Sequence, residues 1–221
     1  MTYIVTEYKE EKKGKVLLCL NEEIRLWLYA GEVRQLSRFP VGLSAHREIT
    51  GGYSLKEGME LSEEQYQHII HEVIGKRATK RAMHLLEKQD RTEHQLREKL
   101  LQNEYPKEAI EDAISYVKEY HYLDDERYAR TFIRIHQEKR SRMRLRTDLL
   151  RRGISKDVIE FSLEEEFSCD EKEQIRSLLE KKHFSADTAD RKELGKMYQF
   201  LMRRGFRSSD ISAVLKTWEE F

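Results

Sequence analysis

Proline is nearly missing from this 221-residue chain, with two copies, and glycine is held to ten. β sandwiches and barrels spend turn residues at every few positions, so this scarcity argues against a loop-rich β fold and for helices. Cysteine occurs only at Cys19 and Cys169, far apart and with no ligand spacing around either. That argues against a disulfide framework or a cysteine-ligated metal, and both read as small apolar residues. No apolar run approaches the ~20 residues of a membrane span. The start, MTYIVTEYKEEKK, lacks the apolar core of about 7–15 residues that a signal peptide needs. A soluble cytoplasmic protein is expected, with no membrane contact. A surplus of one charge is also missing: 41 basic side chains face 41 acidic ones, so there is no global basic pull toward nucleic acid. The phosphate-cradling G-x-x-x-x-G-K-[ST] and G-x-G-x-x-G are absent, as are H-E-x-x-H and G-x-S-x-G. No catalytic residue, metal or cofactor is expected.

What is abundant is charge itself, 37% of residues against a typical ~25%. Such a chain exposes much surface for its length, which suits thin helical units. The first sixty residues differ. IVTEY, KVLLCL and EIRLWLY are rich in β formers, and Ile24, Leu26 and Leu28 alternate with Arg25, Trp27 and Tyr29. That period of two predicts a small antiparallel sheet or hairpin. Residues 30 to 60, with their glycines, are read as turns around one short element. Ser62-Glu63-Glu64-Gln65 predicts a capping box, Thr92-Glu93-His94-Gln95 has the same form, and Pro106 suits a first helical position. From residue 76 onward the pattern is helix after helix.

Those helices repeat. LREKLLQNEYPKEAIEDAI from Leu96, LRTDLLRRGISKDVIEFSL from Leu145 and MYQFLMRRGFRSSDISAVL from Met197 correspond at five apolar positions. Leu96, Leu145 and Met197 align, as do Leu100, Leu149 and Leu201, and Tyr105, Ile154 and Phe206; so do Ile110, Ile159 and Ile211, and Ile114, Leu163 and Leu215. The turn residue is Gly153 and Gly205 in two copies, suiting a left-handed helix cap, and Glu104 in the first, at some cost in stability. One further helix precedes each copy. The expected fold is mainly α: three tandem three-helix repeats in an elongated curved array, preceded by a small β-rich segment. The expected divisions are 1–60 for that segment, 61–123 for a capped linker helix and repeat 1, 124–168 for repeat 2, and 169–221 for repeat 3.

Charge is segregated along the repeats. From Arg127 to Lys156 there are 11 Lys or Arg against 2 Asp or Glu, and from Asp157 to Asp190 there are 4 against 11. Such blocks are either solvated faces or a docking surface for a charged partner. Within the basic block Arg127, Arg130 and Arg134 form a helical stripe, and Arg144 and Arg151 lie off the apolar face of the next helix, joined by Arg140 if that helix begins early. Arg203 and Arg204 repeat the position of Arg151 and Arg152. The preference for Arg favours a planar fork on phosphate or carboxylate, and the stripe suits salt-sensitive DNA contact. Interleaved base-stacking aromatics are not evident. The triplet Asp124-Asp125-Glu126 reads as a divalent-ion site or as a helix start, and capping by Asp124 or Asp125 fits better because consecutive side chains diverge. On that helix Tyr128, Phe132 and Ile135 are expected to face the core. His68 and His71 have metal-ligand spacing without accompanying ligands.

The stretch Leu123-Asp124-Asp125-x-x-Tyr128-Ala129 matches L-D-D-x-x-[FY]-A, a signature of the RecX family, and is read as mainly structural. Arg91-Thr92-x-x-x-Leu96-x-x-Lys99-Leu100 and Leu149-x-x-x-Gly153-Ile154 also stand in family form. Residues 76 to 220 resemble that family, and Leu55-Lys56-x-Gly58-x-x-Leu61 resembles the extension of some members. The family often has Gly near Arg142, where this chain reads Arg140-Ser141-Arg142-Met143; residues 1 to 54 match poorly. The resemblance implies a non-enzymatic regulator of the RecA recombinase, acting in DNA repair, homologous recombination and the SOS response. It implies a body that lies in the helical groove of the RecA–DNA filament and hinders ATP hydrolysis, strand exchange and filament growth. A monomer with weak direct DNA contact is expected. The alternative is a helical-repeat protein that binds nucleic acid without a recombinase partner; an enzyme using the acidic triplet is a third reading.

Overall fold

The computed structural model describes residues 2–37, 54–186 and 188–215. They fall into two compact units, Met1–Asp90 with Gln95–Leu123, and Arg91–His94 with Asp124–Phe221.

In the first unit the expected strands form β1 (Thr2–Glu10), β2 (Lys15–Leu20) and β3 (Ile24–Tyr29), joined by β4 (Glu60–Ser62) in an antiparallel sheet of order β3-β2-β1-β4. Pairing of Leu18 with Leu26 and Val16 with Leu28 puts the apolar residues of both strands on one face, where all four are buried. Asn21 and Glu22, at φ 51° and 65°, make the left-handed turn whose twist matches a tight hairpin. The short element anticipated after residue 30 is α1 (Ala30–Leu36), while the glycine-rich stretch behind it lies outside the described residues.

Helix α2 (Glu63–Gln67) opens on the predicted box: Ser62 Oγ accepts from the Gln65 N–H at 3.2 Å, and Gln65 Oε1 accepts from the Ser62 N–H at 2.8 Å. The chain continues through a π-helical segment, His68–Gly75, into α3 (Lys76–Lys88), then α4 (Glu93–Leu101) and α5 (Lys107–Glu119). Pro106 stands one residue ahead of its expected place, as the N-cap of α5, where its missing N–H is equally harmless. Sheet and helices share one core, running from Leu18 and Leu28 through Ile70 and Ala82 to Leu100 and Ile114. Arg77 ties the layers together: it donates to the Trp27 carbonyl and to Glu32, and stacks on Tyr29 and Tyr105.

In the second unit come α6 (Asp125–His136), α7 (Arg142–Leu150), α8 (Lys156–Glu166), α9 (Glu171–Lys181), α10 (Arg191–Arg203) and α11 (Ser208–Leu215). The fold is thus mainly α, with three tandem three-helix repeats, α3–α5, α6–α8 and α9–α11, behind an N-terminal sheet. Here each repeat has its own core. Leu145, Leu149, Ile154, Ile159 and Leu163 are buried in one, and Leu201, Phe206, Ile211 and Leu215 in the other, with Met197 half-buried.

The inter-helix turn is the same in all three copies. The N–H groups of Tyr105, Ile154 and Phe206 reach the carbonyls of Leu100, Leu149 and Leu201 at 3.3, 3.3 and 3.4 Å. The left-handed residue is Glu104 at φ 61°, Gly153 at 80° and Gly205 at 85°. Repeat 1 therefore keeps the turn without its glycine.

One expectation on α6 is corrected. Ala129, Phe132 and Ile133 are buried, while Ile135 is 67% exposed. The apolar stripe is centred on 129, 132, 133 and 136; Tyr128 reaches it from the edge because its ring is long, and Ile135 is too short to do so.

Candidate functional site

Each acid of the Asp124-Asp125-Glu126 triplet has a structural task. Asp124 Oδ1 accepts from the Arg127 N–H at 2.9 Å and caps α6. Asp125 Oδ1 accepts from the Glu93 N–H, at the start of α4, at 2.9 Å. Glu126 pairs with Arg130 one turn on, at 2.8 Å. Among the described residues no group of His, Cys, Asp or Glu is arranged to hold a metal ion.

The Asp125 contact belongs to a joint that occurs twice. Thr92 Oγ1 donates to the Arg152 carbonyl at 2.6 Å, and Ser141 Oγ donates to the Arg204 carbonyl at 2.8 Å. In the second copy Glu171, first residue of α9, accepts from the Arg142 N–H at 3.0 Å, as Asp125 does from Glu93. Burial of Glu171 raises its pKa, and the bond from Arg142 pulls the other way. The glycine after each accepting carbonyl lets the hydroxyl-bearing turn come close. A Cβ on Gly153 would lie 2.3 Å from His94 Cβ, and one on Gly205 2.9 Å from Ser141 Oγ. The family-form residues Thr92, Asp125 and Gly153 are thus parts of one joint.

The structure sorts the nine candidate arginines. Arg134 makes a two-pronged contact with Glu166, at 3.1 and 2.8 Å, and bridges α6 to α8. That bond raises the Arg134 pKa and lowers that of Glu166. Arg130 is held by Glu126 and lies over the Phe161 ring. Arg152 turns back, donating to the Asp148 carbonyl and lying 4.4 Å from the Phe132 ring centre. Arg127 and Arg151 are exposed.

The remaining four converge. Arg140, Arg144, Arg203 and Arg204 line a cleft of about 280 Å³ together with Lys139, Ser141 and Phe206. Behind it, buried Asp148 accepts from Arg140 at 2.9 Å and pairs with Arg144 Nε at 3.3 Å. Sequence reasoning missed Lys139. Its signal was the run Lys139-Arg140 directly before the Ser141 cap, a turn that brings both to the start of α7.

A second missed feature lies in the first unit. Tyr116, Tyr120 and Tyr122 are 37%, 55% and 50% exposed, with consecutive ring centres 4.6 and 6.4 Å apart. These exposed aromatics gather where α5 ends, in the first unit and outside the basic block.

The chain is thus a small sheet followed by three-helix repeats, with hydroxyl–carbonyl contacts at its repeat turns and a basic cleft in the second unit. The sequence matches three models of one family: "RecX, first three-helix domain" over residues 78–116, the second over 124–163 and the third over 170–215. The chain belongs to the RecX family. Regulatory protein RecX of Caldanaerobacter subterraneus subsp. tengcongensis is 36% identical over 73% of this chain and 80% of its own length. Regulatory protein RecX of Clostridium tetani is 28% identical over 95% and 90%. A crystal structure of regulatory protein RecX superposes with a TM-score of 0.60 at 22% identity, covering 97% of this chain and 98% of that one. RecX from Lactobacillus salivarius gives 0.57 at 20%, covering 65% and 95%. These two likenesses bear on the fold.

Proposed function

We propose that this chain is a regulator of the RecA recombinase, which docks in the helical groove of the RecA–DNA filament and slows its ATP hydrolysis, strand exchange and growth. The observation that carries the reading is the run of three family domains, each with its repeat core in register. The basic surface of the second unit supports it, because a filament wound on DNA offers phosphates and protein acids together. The docking groups in this reading are the cleft arginines Arg140, Arg144, Arg203 and Arg204 with exposed Arg127 and Arg151. Arg130, Arg134 and Arg152 act by holding helices in place.

DNA-dependent ATP hydrolysis by RecA, measured with and without the chain, tests this. The reading expects a slower rate with the chain present and no hydrolysis by the chain alone; an unchanged rate at excess chain rejects it. Under the alternative, nucleic-acid binding without a recombinase partner, any slowing appears only once the chain covers the DNA.

A further inference from the structure

The cleft at the start of α7 gathers five cations, Lys139, Arg140, Arg144, Arg203 and Arg204. Its buried carboxylate is Asp148, so five positive charges against one negative leave +4. Like charges repel, and a fold gathers them at one point at a cost unless an anion offsets it. Three of these groups, Arg140, Arg144 and Arg204, are also held in place. Asp148 fixes Arg140 and Arg144, the Phe132 ring lies 5.3 Å from the Arg140 guanidinium carbon, and the Phe200 ring 4.7 Å from that of Arg204. The walls are pinned by Ser141, which donates to the Arg204 carbonyl and accepts from the Arg144 N–H at 3.2 Å. Donors fixed beforehand lose little freedom when a ligand arrives.

We propose that this cleft is a phosphate site for the backbone of a nucleic-acid strand, which the chain contacts directly. Its volume of about 280 Å³ lies at the lower end of the roughly 300–1,000 Å³ typical of small-molecule pockets. It has room for a phosphate and part of its sugar, with the bases outside. Planar guanidinium forks match phosphate oxygens in pairs. A single acidic side chain would meet one charge of the surplus. A strand brings a charge at every nucleotide, so phosphates on either side reach the cations at the rim. The inference concerns contact with the strand and stands whether or not RecA is the partner.

The test is fluorescence anisotropy of a labelled oligo-dT with the full chain at several salt concentrations. Lys139→Gln with Arg203→Gln removes two cleft cations and leaves the Asp148 pairs intact. Lys80→Gln with Lys88→Gln removes two exposed cations of α3 as a charge-matched control. Matching circular dichroism melts establish that both variants fold. The site predicts at least tenfold weaker binding for the cleft variant. It also predicts a log–log salt slope shallower by about 1.4, from two lost contacts at about 0.7 each on a single strand. The control should stay within twofold. Equal losses in both variants would reduce the cleft to diffuse electrostatics, and no binding by the unaltered chain would remove it. Tighter capture of labelled poly-glutamate than of oligo-dT would assign it to an acidic protein instead. The RecA assay on the same variants separates the two readings. Slowing of RecA with unaltered DNA binding in the cleft variant rejects the phosphate site alone; selective loss of DNA binding by a chain that never slows RecA rejects the regulator alone.

Discussion

Alanine at the three equivalent turn residues should cost very different amounts, although the turn is the same. A left-handed non-glycine residue is disfavoured by roughly 1–2 kcal/mol. Gly205→Ala pays this, and its new Cβ meets Ser141 Oγ at 2.9 Å and the Arg144 backbone N at 3.2 Å, so the Ser141 bond to the Arg204 carbonyl, worth about 0.5–1.5 kcal/mol, is strained or lost. About 1–3 kcal/mol is expected. Gly153→Ala pays the same and drives its Cβ to 2.3 Å from His94 Cβ, where carbons normally stop at ~3.5–4.0 Å. The start of α4 must then move, and the Thr92 bond to the Arg152 carbonyl, worth about 0.5–1.5 kcal/mol, is lost with it. The total is about 2–4 kcal/mol. Glu104→Ala starts from a left-handed residue that already bears a side chain, and removes only a surface contact with Lys15 at 3.5 Å, so it should stay within about ±0.5 kcal/mol. Thermal melts followed by circular dichroism read this as a drop of roughly 4–15 °C for Gly153→Ala, less for Gly205→Ala and almost none for Glu104→Ala. A neutral Gly153→Ala, or a Glu104→Ala as damaging, would refute the joint. His94→Gly should relieve the steric part of the Gly153→Ala penalty and leave the backbone part.

Asp124→Ala should cost about 0.5–2 kcal/mol by removing the α6 cap, and Mg²⁺ or Mn²⁺ should leave the melting temperature of both forms unchanged; a metal-dependent rise that vanishes in the variant would make the triplet an ion site. Asp148→Ala should cost about 1–2 kcal/mol, at the low end for charged hydrogen bonds because both guanidiniums are more than a third exposed; an unchanged melt would show that Asp148 does not order the cleft. Burial, then Arg140 and Arg152, lowers the His136 pKa. The unfolded chain therefore takes up this proton first, near its ordinary ~6.5, and stability falls as pH drops from about 7 through the folded value. His136→Gln should flatten that part of the pH–stability curve, and equal slopes in both forms would contradict it.

The repeat was legible because burial imposes it: Leu149 and Leu201 sit in the same place in successive cores, and the turn between helices needs the same left-handed residue. The sheet was legible from the alternation of Leu26 and Leu28 with Trp27 and Tyr29. Ile135 was misplaced because i, i+4 and i+7 from Tyr128 trace one face, while the true stripe lies a residue later and Tyr128 meets it only at its edge. The second task of Asp125 could not be seen, since its partner is 32 residues away at the start of another helix. The arginines looked alike along the chain. Tertiary partners distinguish them: Glu166 takes Arg134, while Asp148 turns Arg140 and Arg144 into one wall of a cleft. Tyr116 and Tyr120 stand one helical turn apart, but Tyr122 falls off that spacing, because α5 ends at Glu119 and the turn behind it brings the Tyr122 ring to Tyr120.

The regulator reading rests most directly on RecA's own turnover. With RecA saturating a long single-stranded DNA, ATP hydrolysis should be followed as the chain is titrated in. The account predicts a fall that is complete at amounts of chain far too small to cover the DNA, because the target is the filament. A rate that stays constant, or that falls only as the chain covers the strand, would contradict it.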